Sequence, residues 1–258
     1  MSTSPQTTSP PAEGEPGGLR SRVEHDAASI YQRCFESSPD TLQAKLDNFP
    51  KYVRLQALTR FLVRYELMRK VVGIKGSIVE CGVFGGFGLM SWANLSSILE
   101  PTNFQRRIYG FDSFSGFPDV SEEDKAGRGI AQTGQLRNNS HDELEQIIKA
   151  YDANRYLGHM AKVELIDGDA TKTIPRFIET HPHTLISLLF LDFDLYEPTL
   201  VALQNFLPRM PKGAIVAFDE LDHPLWPGET LALLKAVDLP SVRLERFDFD
   251  PYVGFFVV

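Results

Sequence analysis

Apolar positions follow two periods along this chain, and the change from one to the other lays out its elements. From about Glu24 to Ser38, Ala28, Ile30, Tyr31 and Phe35 recur at helical spacing until Pro39 interrupts them. A longer helix is predicted from Pro50 through Val72, where Tyr52, Leu55, Leu58, Phe61, Leu62, Tyr65 and Met68 return every three or four residues. Beyond it the pattern becomes short apolar runs, each followed by a turn and a helical stretch. The runs predict strands over 78–81, 107–112, 162–167, 185–192 and 213–219, with helices over 89–99, 140–151, 171–180, 197–206 and 228–236 between and after them. The stretch Leu185 to Asp192 is almost continuously apolar, as a parallel strand covered on both faces must be. Ser140 and Glu143 have the spacing of a capping box. Residues 242–247 and 252–258, separated by Asp248-Phe249-Asp250-Pro251, read as a hairpin-like ending. Five strand–helix alternations followed by two terminal strands predict an α/β fold, a doubly wound and mostly parallel sheet of seven strands.

Three segments depart from that rhythm. Residues 1–22 are dominated by Ser, Thr, Pro, Gly and Glu and are expected to form a disordered tail. Residues 23–75 are expected to form an N-terminal helical cap on the main domain, residues 76–258. Phe114 to Asn139 carries glycines and mixed charge without periodicity, and a segment of that length inside a compact domain reads as a lid.

Composition narrows the functional classes. With 258 residues, 43% of them hydrophobic, and 18 Phe, the chain can bury a substantial core. A net charge of −8 disfavours a nucleic-acid partner. No run of about 18 apolar residues suggests a membrane span. Two cysteines, Cys34 and Cys81, cannot form a disulfide framework, so reduced thiols and a cytoplasmic location are expected.

The candidate chemistry sits where strands end. Glu80-Cys81-Gly82-Val83-Phe84-Gly85-Gly86 follows the first strand and opens a helix. Its spacing is neither the dinucleotide fingerprint nor the Walker loop, and it fits an S-adenosylmethionine (SAM) turn, E-x-G-x-x-x-G. Asp112, ending the second strand with Ser113 behind it, is placed to accept from ribose hydroxyls. Asp169, followed by Ala170, is placed for the adenine amine, and Glu80 for the glycine turn or the methionine amino group. The fourth and fifth strands end in Asp192-x-Asp194 and Asp219-Glu220. Such oxygen donors, with no Cys or His set nearby, select a hard cation, Mg²⁺ first.

Four stretches carry a more specific likeness: Val79-Glu80-x-Gly82-Val83-Phe84-x-Gly86, Gly110-Phe111-Asp112-Ser113-Phe114-x-Gly116-Phe117-Pro118, Leu191-Asp192-x-Asp194-Leu195-Tyr196-Glu197-Pro198-Thr199 and Phe218-Asp219-Glu220. Together they resemble the macrocin O-methyltransferase family over roughly Tyr52 to Val258. The resemblance implies a Rossmann-like class I SAM methyltransferase fold and Mg²⁺-dependent methylation of sugar hydroxyls in antibiotic or polysaccharide pathways. It assigns Asp192, Asp219 and Glu220 to the metal and Asp194 to the general base. Antibiotic members commonly have two adjacent aspartates where this chain has Asp219-Glu220, so Glu220 departs from the pattern. It also implies a homo-oligomer, with the N-terminal helices as the interface.

The expected acceptor is a deoxysugar such as rhamnose, nucleotide-linked or attached to a natural product, with Tyr52, Arg54, Tyr196 and His141 as candidate substrate contacts. Arg54, Arg60 and Arg128 are candidate cations for a diphosphate, and His141 and His223 are alternative bases. The competing reading is a catechol-type O-methyltransferase with a planar phenolic acceptor.

Overall fold

A computed structural model describes residues 22–258. The expected tail lies outside the described residues apart from its last position. The chain divides in sequence between Leu58 and Thr59 into two compact units. The first contains α1 (Arg22–Ser37), α2 (Leu42–Asp47) and the first residues of α3 (Leu55–Val71). Thr41 caps α2, its hydroxyl accepting from the Ala44 amide. The helix expected from Pro50 begins at Leu55 instead, because Phe49–Lys51 is a 3₁₀ turn with Pro50 near its start. Inside this unit Tyr52 packs edge-on against Phe35 at 5.1 Å, and its hydroxyl donates to Ser38 at 3.2 Å.

The second unit is built on a sheet. In chain order it holds β1 (Ser77–Cys81), α4 (Phe87–Leu99), β2 (Ile108–Asp112), α5 (His141–Asn154), β3 (Val163–Asp167) and α6 (Ala170–Thr180). It continues with β4 (Ile186–Leu191), α7 (Tyr196–Phe206), β5 (Ile215–Phe218), α8 (Gly228–Ala236), β6 (Glu245–Arg246) and β7 (Gly254–Val257). The spatial order is β3-β2-β1-β4-β5-β7-β6. The first five strands pair in parallel, and β7 runs antiparallel between β5 and β6. The predicted seven strands and hairpin-like ending are therefore present, with β7 inserted beside β5.

Alternation along each strand divides the core between two faces. Ile78, Ile108, Leu188, Phe190, Ile215 and Phe255 point to one side with Val63, Leu67, Leu89, Trp92 and Leu144 from α3, α4 and α5. Val79, Phe111, Leu189, Leu191, Val216 and Phe218 point to the other with Ile174, Phe177, Leu203, Phe206 and Leu233 from α6, α7 and α8. Each fully buried Phe or Leu in these layers contributes roughly 1.5–3 kcal/mol.

At the amino ends of the strands one buried residue ties the layers together. Arg106 donates to the Glu100 carboxylate at 2.6 Å, to the Gly76, Val71, Val72 and Ile74 carbonyls at 2.8–3.1 Å, and to the Ser187 hydroxyl. Among the described residues no helix is long and apolar enough to cross a membrane.

Candidate active site

Strand order reverses on either side of β1, and the crevice beyond the carboxyl ends at that point is where open α/β sheets hold ligands. Register fixes what lies there. Cys81 is level with Leu191, and Leu191 with Phe218, so Gly82, Asp192 and Asp219 leave the sheet side by side. The Asp192 amide donates to the Cys81 carbonyl at 2.8 Å, and the Asp219 amide to Leu191 at 2.9 Å.

The glycine turn is clamped by Asp112. One carboxylate oxygen accepts from the Val83 and Phe84 amides at 2.8 and 2.7 Å, the other from Phe114 at 2.7 Å. The acid expected to bind ribose thus also shapes the loop over which a ribose would lie. Gly82 (φ 92°) passes the Asp192 carbonyl so closely that a Cβ would collide with it, and Gly86 (φ 84°) starts α4 against Leu144. Ser113 donates to the Gly116 carbonyl at 2.7 Å. The expected capping box at Ser140 does not form: its hydroxyl donates to the Phe84 carbonyl at 2.7 Å, securing the turn rather than its own helix. Asp169 caps α6, accepting from the Thr171 amide and hydroxyl, and pairs with Lys172 at 2.9 Å. Ala170 is the buried first residue of that helix.

Glu80 lies below the turn, 1% exposed, facing the equally buried Arg64 at 3.4 Å. Gly88 makes room for this pair, since a Cβ there would overlap the carboxylate. Burial outweighs the Arg64 charge and pushes the Glu80 carboxyl up to about 7.

The four acids of the fourth and fifth strands lie near enough to act on one another's charge. Burial, reinforced by Asp219, holds Asp192 well above the usual carboxylate range; burial with Glu220 and Asp219 does the same to Asp194. Burial and Asp219 push Glu220 up to about 7. Asp194 has a left-handed backbone (φ 62°), the kind of strain that a fold maintains at functional sites. Two arginines of α3 reach these carboxylates: Arg60 lies 2.6 Å from Asp219 and 3.8 Å from Asp192, and Arg64 lies 3.9 Å from Asp192.

The donor set is right in kind for a hard cation, and the buried Glu220 Oε2 has no hydrogen-bond partner. Its arrangement is not that of a formed metal centre. Among the described residues no group of three or more His, Cys, Asp and Glu side chains converges as ligands, and Arg60 bonds one oxygen of Asp219 and stands 3.8 Å from one oxygen of Asp192.

The remaining expected contacts are spread out. His141 begins α5, stacked edge-on to Phe114 at 5.1 Å and 3.3 Å from Asp142, on the glycine-turn side. Tyr196 packs its ring into the core layer beneath α7. Tyr52 and Arg54 belong to the first unit. His223 is 3.8 Å from Glu220, and burial lowers its pKa.

Two acids that sequence reasoning passed over organise the site. Glu229, fully buried in the first turn of α8, accepts from the Phe193 and Asp194 amides at 3.1 and 3.3 Å and from the Glu220 amide at 3.4 Å, joining the two acidic loops. Asp124 is 1% exposed and accepts from Ser121 and from the Tyr196 amide at 2.6 Å, fixing the 114–139 segment to the start of α7. That segment carries a small core of its own, Phe117 and Ala131 against Leu195, Leu225 and Trp226, and so forms a packed wall.

Comparison with known proteins agrees with this geometry. The family model of macrocin O-methyltransferase (TylF) matches residues 54–233. Calicheamicin methyltransferase CalS11 superposes with a TM-score of 0.88 at 34% identity over 92% of this chain and 93% of that one. Its apo structure, described as a TDP-rhamnose 3'-O-methyltransferase, gives 0.80 at 32% identity over 92% and 95%. A tetracenomycin rhamnosyl 4'-O-methyltransferase of Streptomyces olivaceus is 29% identical over 154 residues, 57% of this chain and 54% of its own length. The chain thus matches about half the length of that curated relative. The sheet order, the clamped glycine turn and the family match over most of the chain lead to one assignment: this protein has the class I SAM methyltransferase fold and belongs to the macrocin O-methyltransferase family.

Proposed function

We propose that the protein is a SAM-dependent O-methyltransferase that methylates a hydroxyl of a rhamnose-like deoxysugar. The observation that carries this reading is the row formed by Gly82, Asp192 and Asp219, which sets a SAM-type turn beside a cluster of carboxylates at one end of the sheet. The relatives named above act on rhamnose derivatives, which favours a sugar over the planar phenol of a catechol-type enzyme.

SAM supplies a methyl group on a sulfonium, and its methionine and ribose parts would lie across Glu80, Gly82, Gly86, Asp112, Ser113, Asp169 and Ala170. Asp192, Asp219 and Glu220 would hold Mg²⁺, which supplies Lewis acidity to lower the hydroxyl pKa. Asp194 would take the proton of the sugar hydroxyl as that oxygen is methylated. To accept that proton Asp194 must be ionised, and its crowded surroundings oppose this unless positive charge is near. Glu229 and the strained backbone at Asp194 keep the base in one orientation. His141, on the glycine-turn side, would contact the acceptor. The working form is a cytoplasmic homo-oligomer.

The test is methyl transfer from labelled SAM to TDP-rhamnose and to rhamnosylated natural products, with Mg²⁺ and with EDTA. Metal-dependent transfer to one class of sugar is expected. Transfer that survives EDTA removes the metal from the scheme, and transfer to catechols alone replaces the sugar reading.

A further inference from the structure

We propose that Arg60 is an internal counter-cation, which holds the acid cluster together until a divalent cation displaces it. The inference rests on the metal reading above and concerns what stands in the way of that metal. Arg60 and Arg64 are one turn apart on α3 and reach toward the same end of the sheet. Their circumstances differ. The Arg64 side chain is 2% exposed and lies over the rings of Phe190, Trp92 and Phe87, so it is fixed. The Arg60 side chain is 50% exposed and enters the cluster from solvent with only its tip engaged.

That tip stands against one oxygen of each of two acids a cation needs. Arg60 Nη2 is 2.6 Å from Asp219 Oδ2 and 3.8 Å from Asp192 Oδ2, two of the three acids assigned to the metal. Lone pairs engaged with a guanidinium cannot ligate a metal at the same time. The third acid, Glu220, has no hydrogen bond to its buried Oε2, whose neighbour is His223 at 3.8 Å, so Arg60 does not engage it. Among the described residues no ligand set converges, and the guanidinium stands between two of the carboxylates that would form one.

Magnitudes favour exchange. A half-exposed ion pair contributes on the order of 1 kcal/mol or less net, so the side chain swings out at little cost. A doubly charged ion among crowded carboxylates recovers more than one guanidinium provides. Arg60 then sets a threshold concentration for the metal, and keeps the like charges from forcing the two loops apart below it.

The experiment is a Mn²⁺ titration of the full chain followed by electron paramagnetic resonance, on the wild type, Arg60→Gln and Arg60→Lys, with a thermal melt of each without metal. Arg60→Gln is expected to bind Mn²⁺ tighter by on the order of tenfold and to melt lower in the absence of metal. Arg60→Lys, still charged but shorter in reach, is expected to show a smaller tightening, which keeps the idea testable should the Gln variant fold poorly. Equal or weaker binding by both variants, with the wild type binding normally, overturns the role of Arg60 alone. No binding by any of the three overturns the metal reading together with it.

Discussion

Two buried arginines, one at each end of the sheet, show how differently a fold treats the same side chain. Arg106, at the amino ends, has its donors matched by a carboxylate, four carbonyls and a hydroxyl. Arg64, at the carboxyl ends, reaches Glu80 and the Arg60 carbonyl only at 3.4 Å, and its Nε is left without a partner. Glu80 likewise keeps one oxygen unpartnered. Full matching closes the amino end into a structural joint. Incomplete matching at the carboxyl end keeps polar groups in reserve, a cost that folds accept where a ligand is to be bound.

The sharpest division of roles concerns Asp194. Asp194→Asn is expected to cut turnover by about 10²–10⁴-fold while SAM affinity, read by calorimetry, holds and the melting temperature stays level or rises as a like charge is removed. Unchanged turnover would sink its assignment as base. At the opposite end Arg106→Met is expected to cost about 3–5 kcal/mol in urea unfolding, because Glu100 is left buried without its cation, whereas the folded fraction still binds SAM.

Arg64→Met breaks or confirms the contrast most directly. With Glu80 able to take up a proton in its place, the expected cost is smaller, about 1–3 kcal/mol; a loss equal to that of Arg106→Met would show the two joints to be equivalent.

The smallest effect is a difference in pH response. Glu80 is raised to about 7 in the folded state, so the folded protein holds its proton more tightly than the unfolded chain. Its contribution is complete below about 4.5 and is lost as pH rises through 7. Lys162, near Arg106, is lowered to about 8, chiefly by burial, so stability gains as pH climbs from 8 toward 10.5. Glu80→Gln should flatten the acid-side slope in urea midpoints, and Lys162→Met the alkaline one. A Glu80→Gln profile parallel to the wild type would remove Glu80 as the source.

Most of this architecture was legible because buried parallel strands read as apolar runs ending at the site, so Glu80, Asp112, Asp192 and Asp219 could be placed at strand ends by inspection. What escaped detection depended on pairings distant in sequence. An acid in the first turn of a helix is commonplace, so nothing in the sequence marked Glu229 as the link between two loops. Asp124 was hidden in an aperiodic segment that read as a lid and is a packed wall. Arg60 read as a cation for a diphosphate, and nothing local pointed to its partner Asp219, 159 positions away. Ser140 had the right spacing for a capping box, and lost that role to a carbonyl of the glycine turn that no local rule could anticipate.

The placement of β7 also bears on how the protein is made. Asp219 and Glu220 follow β5, and β5 has a neighbour on only one side until Gly254–Val257 pairs with it. A chain emerging from the ribosome therefore completes the glycine turn and β4 well before it can seat the last two acids. During that interval β5 presents an open, apolar edge, the form of strand most prone to pairing with another molecule. Pairing with β7 thus closes the edge of the strand that carries Asp219 and Glu220 at its end.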